Sequence, residues 1–265
     1  MIRALAGRIG RGAGRFLALL LLAFLALQVW FFLRIALMLV VDPQSTTFQR
    51  SEAWRLLVAE RPLAWHQQWL AREAIATNLK RAVIASEDAG FTEHSGVEWD
   101  ALEKAWEKNT RAEAVADKAA ERAARQDAAR RTPAPPTPAR APKVVGGSTI
   151  TQQLAKNLFL GGERNLLRKA QELVLTWELE ALLGKQRILE IYLNSVEWGE
   201  GVFGAEAAAR RYFRVGAGAL SAGQAAQLAV LLPAPKRFEK RSASPYVQSR
   251  AATIAARMGA VELPR

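Results

Sequence analysis

Polar and apolar residues follow different patterns along this chain, and each pattern predicts its own kind of element. Residues 16–41, FLALLLLAFLALQVWFFLRIALMLVV, are apolar almost without interruption, with Gln28 and Arg34 the strongly polar exceptions. At about 1.5 Å per residue such a helix crosses a hydrocarbon core of about 30 Å, and Arg34, near one end, can snorkel towards headgroups. Further on, apolar residues recur at helical spacing: Leu79, Val83 and Ile84, then Trp99, Leu102 and Trp106. Residues 166–194 predict one or two long helices, with Gly184 as a bend or break. Shorter helices are expected at about 221–232 and 247–258, between the breaks at Pro233, Pro235 and Pro245. Residues 43–75 carry Trp54, Trp65 and Trp69 with no clear period. No stretch reads as strand-rich or repeated, so the expected fold class is mainly α.

Residues 110–131 hold little but alanine and charge, and read as an exposed helix or as disorder. Five prolines between 133 and 142 then suggest a polyproline-like linker. Patterned segments lie on both sides, so about 107–142 is expected to be an insertion within one domain spanning 42–265.

Charge refines this picture. The chain has 265 residues and a formal charge of +12. Residues 1–41 hold five arginines and no acid, leaving 32 basic against 25 acidic residues beyond them. That surplus suits a membrane surface, an anionic substrate or nucleic acid. Arg3, Arg8, Arg11 and Arg15 precede the apolar run, so the positive-inside rule puts a basic tail, residues 1–15, in the cytoplasm and everything after the span on the far side. Nucleic acid is not expected there. The apolar run is too long for a cleaved signal peptide and has no A-x-A-type site after it, which favours an uncleaved anchor. With no cysteine there is neither a disulfide framework nor a thiolate metal site.

Three stretches carry candidate chemistry. In GGSTITQQLAKNLFL, residues 146–160, Ser148 or Thr149 can cap a helix with two faces. Ile150, Leu154, Ala155, Leu158 and Phe159 form the apolar face; Thr149, Gln152, Gln153, Lys156 and Asn157 form the other, with amides, hydroxyls, one cation and no acid. That face is either solvated or suited to a hydroxyl-rich anion such as a sugar phosphate. In EDAGFTEHSG, from residue 87, the Glu87–Asp88 pair follows an apolar helix, where burial can raise a carboxylate towards the range of a general base. A solvated acid pair and a hydrogen-bonded His94 are the plainer account. Glu172 has Arg168 and Lys169 on one side and Leu175 and Leu179 on the other, which fits a structural salt bridge or an acid positioned by cations. Residues 199–204, GEGVFG, match G-x-G-x-x-G but follow a helical segment rather than a strand, so they predict a tight turn and not a dinucleotide site.

Taken together, AVIASEDAGFTEH, GGSTITQQLAKNLF, RKAQE with KQRILEIYLN, and EWGEGVFGAEAAARRYF resemble, in order and wording, the peptidoglycan glycosyltransferases of glycosyltransferase family 51, over about residues 60–258. The resemblance implies an α-rich, lysozyme-like two-lobed domain preceded by a single membrane helix, with a cleft against the bilayer and lipid II and the growing glycan strand as substrates. It implies Glu87 as catalytic base and Glu172 as the second essential carboxylate, near the donor diphosphate. Ser148, Thr149, Gln152, Gln153, Lys156 and Asn157 would line the cleft, and Lys156, Arg164, Arg168 and Lys169 would face the diphosphate. It allows a divalent cation such as Mg2+ or Mn2+ near Glu172, implies no organic cofactor, and admits other cell-wall synthesis or division proteins as partners. The chain departs from the family in its longer insertion, in Gln224 where a glutamate is usual, and in Glu98 in place of aspartate. No S-x-x-K occurs, so no transpeptidase activity is expected. A lysozyme-like lytic enzyme and a non-enzymatic division scaffold are the alternatives, and a hydrolase has no need of cations around a diphosphate.

Overall fold

A computed structural model describes residues 2–60, 65–128, 147–163 and 165–265. The helices are α1 (Ile2–Leu37), α2 (Thr47–Val58), α3 (Thr77–Glu87), α4 (Trp99–Ala128), α5 (Ile150–Phe159), α6 (Leu166–Ser195), α7 (Ala205–Phe213), α8 (Ala222–Leu231), α9 (Pro235–Phe238) and α10 (Pro245–Arg257). The short strands β1 (His66–Gln67), β2 (Glu197–Gly199) and β3 (Val202–Phe203) form a sheet in the order β1-β3-β2. β1 runs parallel to β3, pairing His66 with Val202, and β2 runs antiparallel to it. The mainly α expectation holds.

The core forms where apolar stripes meet. α5 lies along α6, and α3 and α10 pack on α8. Leu79, Val83 and Ile84 of α3, Ile150 and Leu154 of α5, and Leu175 and Leu179 of α6 are fully buried. The helical spacing selected these positions; it also selected Trp99, Leu102 and Trp106 of α4, which are exposed. α6 bends at Gly184, whose φ of +68° is open to glycine and costly for other residues.

GEGVFG folds as the β2–β3 hairpin and the entry to α7. Gly204 has φ +82°, and a Cβ there would lie 2.7 Å from the Asn194 carbonyl oxygen. Close backbone packing, not phosphate binding, explains that glycine.

Two elements differ from the sequence expectation. α2 lies in the segment that showed no period. A capping box between Thr46 and Gln49 starts it, and two of its buried residues, Gln49 and Glu52, are polar, so hydropathy could not reveal its inner face. α4 continues to Ala128, so the first part of the expected insertion is helical; the proline-rich part lies outside the described residues.

α1 contains one stretch, Gly14–Leu37, long and apolar enough to cross a membrane by length and composition. Its last turns are not free of the domain, because α1 packs on α6. Phe31, Ile35 and Met38 are buried. Gln28 and Gln171 exchange amide hydrogen bonds at 3.1 and 3.0 Å. Arg34 lies over the rings of Trp30 and Phe159, at 5.0 and 5.7 Å.

Candidate active site

Glu87 is the last residue of α3, and Asp88 caps that helix. The chain then turns back through Phe91, which is fully buried, and His94. The Asp88 carboxylate faces two ways. Oδ1 is 2.8 Å from His94 Nε2, and Oδ2 accepts the Ile150 backbone N–H at 2.9 Å, at the start of α5. Because His94 Nδ1 accepts the Gly96 N–H at 3.1 Å, the proton of a neutral imidazole sits on Nε2 and is donated to Asp88. Asp88 therefore fastens the turn after α3 to the N-terminus of α5, where the helix dipole favours a negative charge.

Thr149 completes the junction. Its hydroxyl donates to the Gly96 carbonyl at 2.6 Å and also accepts the Gln152 N–H at 3.2 Å, while Gln152 Oε1 accepts the Thr149 N–H. Thr149 and Gln152 are buried and engaged in this capping box. Their direct part is to fix the start of α5. Ser148 contributes its carbonyl, 3.4 Å from Gln153 Nε2, and is half-buried.

Gln153 is the residue of α5 that reaches Glu87. Its Nε2 donates to Glu87 Oε2 at 3.1 Å, and the Ser86 hydroxyl donates to Oε1 at 3.3 Å. Burial pushes the Glu87 carboxyl up from its usual value; the Gln153 and Ser86 hydrogen bonds pull it down, and the Asp88 charge adds to the rise. The outcome is a carboxyl raised above the ordinary range, as a general base near neutrality requires. Lys156 is exposed and Asn157 half-buried on the following turn of α5.

A second acid lies on the first turns of α6. Asn165 caps the helix by accepting the Arg168 N–H at 2.7 Å. Glu172 is buried at 3 % exposure. Arg168 Nη1 donates to Glu172 Oε2 at 2.7 Å, and Lys169 Nζ is bonded to Oε1. The i−4 and i−3 spacing seen in the sequence thus closes into a clamp that presents two cations held by one acid. A divalent cation at Glu172 would have to displace both partners and sit beside their charges, so this donor set does not fit a metal ion. Arg164 lies outside the described residues.

The two acids share a framework. Gly96, which receives Thr149, packs its backbone against Thr176, and the Thr176 hydroxyl donates to the Glu172 carbonyl at 2.7 Å. Thr151 donates to Glu180 at 2.5 Å, tying α5 to α6 one turn further on. Asp88, His94 and Glu98 bring one ligand atom each within 4.8 Å of one another. The hydrogen bonds of Asp88 and His94 account for that grouping without an ion.

Sequence reasoning missed the roles of two residues. Asp88 acts at the helix junction, a role that only its tertiary partner Ile150 reveals. Tyr192 is fully buried on α6, and its hydroxyl donates to Gln153 Oε1 at 3.0 Å. A tyrosine in a buried helical stripe needs a partner for its hydroxyl, and that was the available signal. Gln224, the third residue of α8, closes another capping box by accepting the Ser221 N–H at 3.0 Å.

Residues 57–119 and 135–259 match the transglycosylase family. The chain is 51% identical over 242 residues to a biosynthetic peptidoglycan transglycosylase of Burkholderia thailandensis, covering 91% of this chain and 84% of that protein. It is 51% identical over 253 residues to one of Cupriavidus metallidurans, covering 92% and 95%. A third, of Paraburkholderia xenovorans, is 47% identical over 247 residues, covering 93% and 91%.

Proposed function

This chain belongs to the transglycosylase family, a peptidoglycan glycosyltransferase by relationship, and from that premise we propose that it polymerises glycan strands from lipid II. In this reading the Glu87 carboxylate takes the proton from the 4-hydroxyl of the acceptor's GlcNAc. The freed oxygen pair forms the new bond to C1 of the donor's MurNAc as the bond from C1 to the diphosphate oxygen breaks. Attack opposite the leaving group inverts α to β, and undecaprenyl diphosphate departs with the bonding electrons.

The observation that carries the base assignment is the setting of Glu87: a carboxyl raised by burial, held by a neutral amide from the signature helix, with no cation bonded to it among the described residues. A base needs that balance, since an ion pair would hold it ionised but make it a poor proton acceptor. Arg168 and Lys169 are assigned to the charge that develops on the leaving diphosphate, with Glu172 fixing their geometry. Arg164 and Lys156 join them as proposed diphosphate contacts, and Ser148, Thr149, Gln152, Gln153 and Asn157 as the wall of the cleft.

We assign α1 as a single-pass anchor with the basic end cytoplasmic and residues 42–265 as a periplasmic glycosyltransferase domain. The exposed Leu166 and Leu167, just before the clamp on the helix that α1 touches, fit contact with the bilayer that holds the lipid substrates.

The test is incubation of the detergent-solubilised full chain with labelled lipid II, followed by sizing of the products. Wild type gives long glycan, and Glu87→Gln lowers polymer formation by about 10²- to 10⁴-fold with folding intact. Polymer from Glu87→Gln at the wild-type rate removes the base assignment. Release of fragments from preformed glycan, with no polymer made, replaces the transferase by a lytic enzyme.

A further inference from the structure

Tyr192 does not touch Glu87, yet its hydroxyl holds Gln153, the side chain of α5 that does touch the base. Its ring is fully buried in the second half of α6, and its hydroxyl donates to Gln153 Oε1 at 3.0 Å. On the other side of the same amide, Nε2 donates to Glu87 Oε2 at 3.1 Å and to the Ser148 carbonyl at 3.4 Å. A glutamine amide can turn over with almost no change in shape, so its orientation is decided by its partners. Turned over, Oε1 would face the Glu87 carboxylate and the Ser148 carbonyl, both acceptors. The Tyr192 proton would also lose its acceptor, because among the described residues the hydroxyl has no other. Stranding a buried donor is costly. The reversed amide suits only a protonated Glu87, which could donate to Oε1.

We propose that Tyr192 is a positioning residue of the glycosyl transfer: by donating to Gln153 Oε1 it keeps the amide nitrogen turned to Glu87, and so keeps the base in its proton-accepting form. This inference rests on Glu87 being the base. The titratable group acting on Glu87 is Asp88, from the turn after α3; Tyr192 of α6 feels the Glu87 charge and acts back on it only through Gln153. α5 presents the neutral Gln153 and carries Lys156 three residues further on. No group of α8 or α10, the other helices packed on α3, acts on it among the described residues. Burial and the carboxylates of Glu87 and Asp88 push the Tyr192 phenol well above its usual range, so it remains a donor at every working pH.

Tyr192→Phe removes the hydroxyl and leaves the ring to fill its place. The readout is kcat and KM for lipid II polymerisation by the full chain in detergent, across pH. The expected result is a KM within about twofold and an acid limb of kcat moved upward by about half to one pH unit, as loss of one donor to a carboxylate's partner predicts. Gln153→Ala should move the limb in the same direction, and Tyr192→Phe should add nothing in that background, because the hydroxyl acts through the amide. An unmoved acid limb in Tyr192→Phe overturns the proposal, whether or not Tm falls, and so do shifts that add in the double variant. Polymer from Glu87→Gln at the wild-type rate would instead remove the base assignment itself; an inactive Glu87→Gln beside an unmoved Tyr192→Phe limb removes only the role of Tyr192.

Discussion

Glu197 shows how differently burial treats two carboxylates of one fold. It lies on β2 beside Glu52 and Lys236, sealed from solvent. Lys236 gives its short contact, 2.6 Å, to Glu52 and makes only a long ion pair, 3.7 Å, with Glu197 Oε1, so that oxygen has no close hydrogen-bond partner among the described residues. Burial pushes the Glu197 carboxyl from 4.5 to about 7, against the pull of Lys236 and with a push from Glu52. Glu87 is also raised by burial, but it is not fully enclosed and keeps two donors, which suits the proposed contact with a substrate hydroxyl. Glu197 is too enclosed to meet a substrate. Its consequence is for stability. A carboxyl whose folded value exceeds its unfolded one favours the fold while protonated, and that contribution is lost as pH rises through the window from 4.5 to about 7. Glu197→Gln stays neutral at every pH. Its Tm should match wild type near the bottom of that window and exceed it by about 3–6 °C at pH 8. Thermal unfolding of both proteins across pH measures the difference; a gain that does not grow with pH would show that Glu197 is not protonated in the fold.

At the level of elements, the helices of the core were readable because their apolar positions recur at the helical period, and α5 announced itself further by a capping residue, Ser148 or Thr149. α2 was hidden because Gln49 and Glu52 point inward, so its buried face carries no hydrophobic signal. The clamp around Glu172 could be read from spacing alone, since three residues of one helix make it. The contact of Gln153 with Glu87 could not, because 66 residues separate them and only packing brings α5 to the end of α3. The same holds for the turn that joins them. Gly96 has φ +87°, and a Cβ there would lie 2.6 Å from Thr176 Cγ2 and 2.9 Å from Glu180 Cγ. Gly96→Ala therefore combines a left-handed strain with a clash against α6, and should destabilise by about 2–4 kcal/mol. It should also lower polymerisation at temperatures where the protein stays folded, since the Thr149 and His94 bonds to Gly96 hold the junction beside Glu87. Gly162→Ala is the control. A Cβ at Gly162 meets nothing within 4 Å, and the change should stay within about 0.5 kcal/mol. Denaturant melts and product sizing on the two variants decide the matter, and equal stabilities would mean that the turn can shift off α6.

Across the whole molecule, the apolar helix and the domain are coupled, which a chain of anchor plus tethered enzyme need not be. Gln28 meets Gln171, the neighbour of Glu172, so the docked end of α1 lies directly beside the clamp. Below that contact, Arg187 of α6 donates to the Met38 carbonyl at 2.9 Å and pairs with Asp42 at 2.6 Å, holding the segment that leaves α1. In the proposed reading such a joint would set the height of the Arg168–Lys169 pair relative to the bilayer, where the proposed lipid diphosphate would be met. Packing should carry most of the joint's strength, because Ile35 is fully enclosed between α1 and the core whereas Leu33, two residues away, is 60% exposed. Ile35→Ala removes buried methyl and methylene groups and should cost about 2–5 kcal/mol in the unfolding of the domain. Leu33→Ala, on the face turned away from the domain, should cost next to nothing. Near-ultraviolet circular dichroism of the full chain in detergent follows the domain's tryptophans through unfolding and reads both variants. If Ile35→Ala melts with the wild type, α1 is a tether that contributes nothing to the domain, and the height of the clamp is set by the domain's own surface.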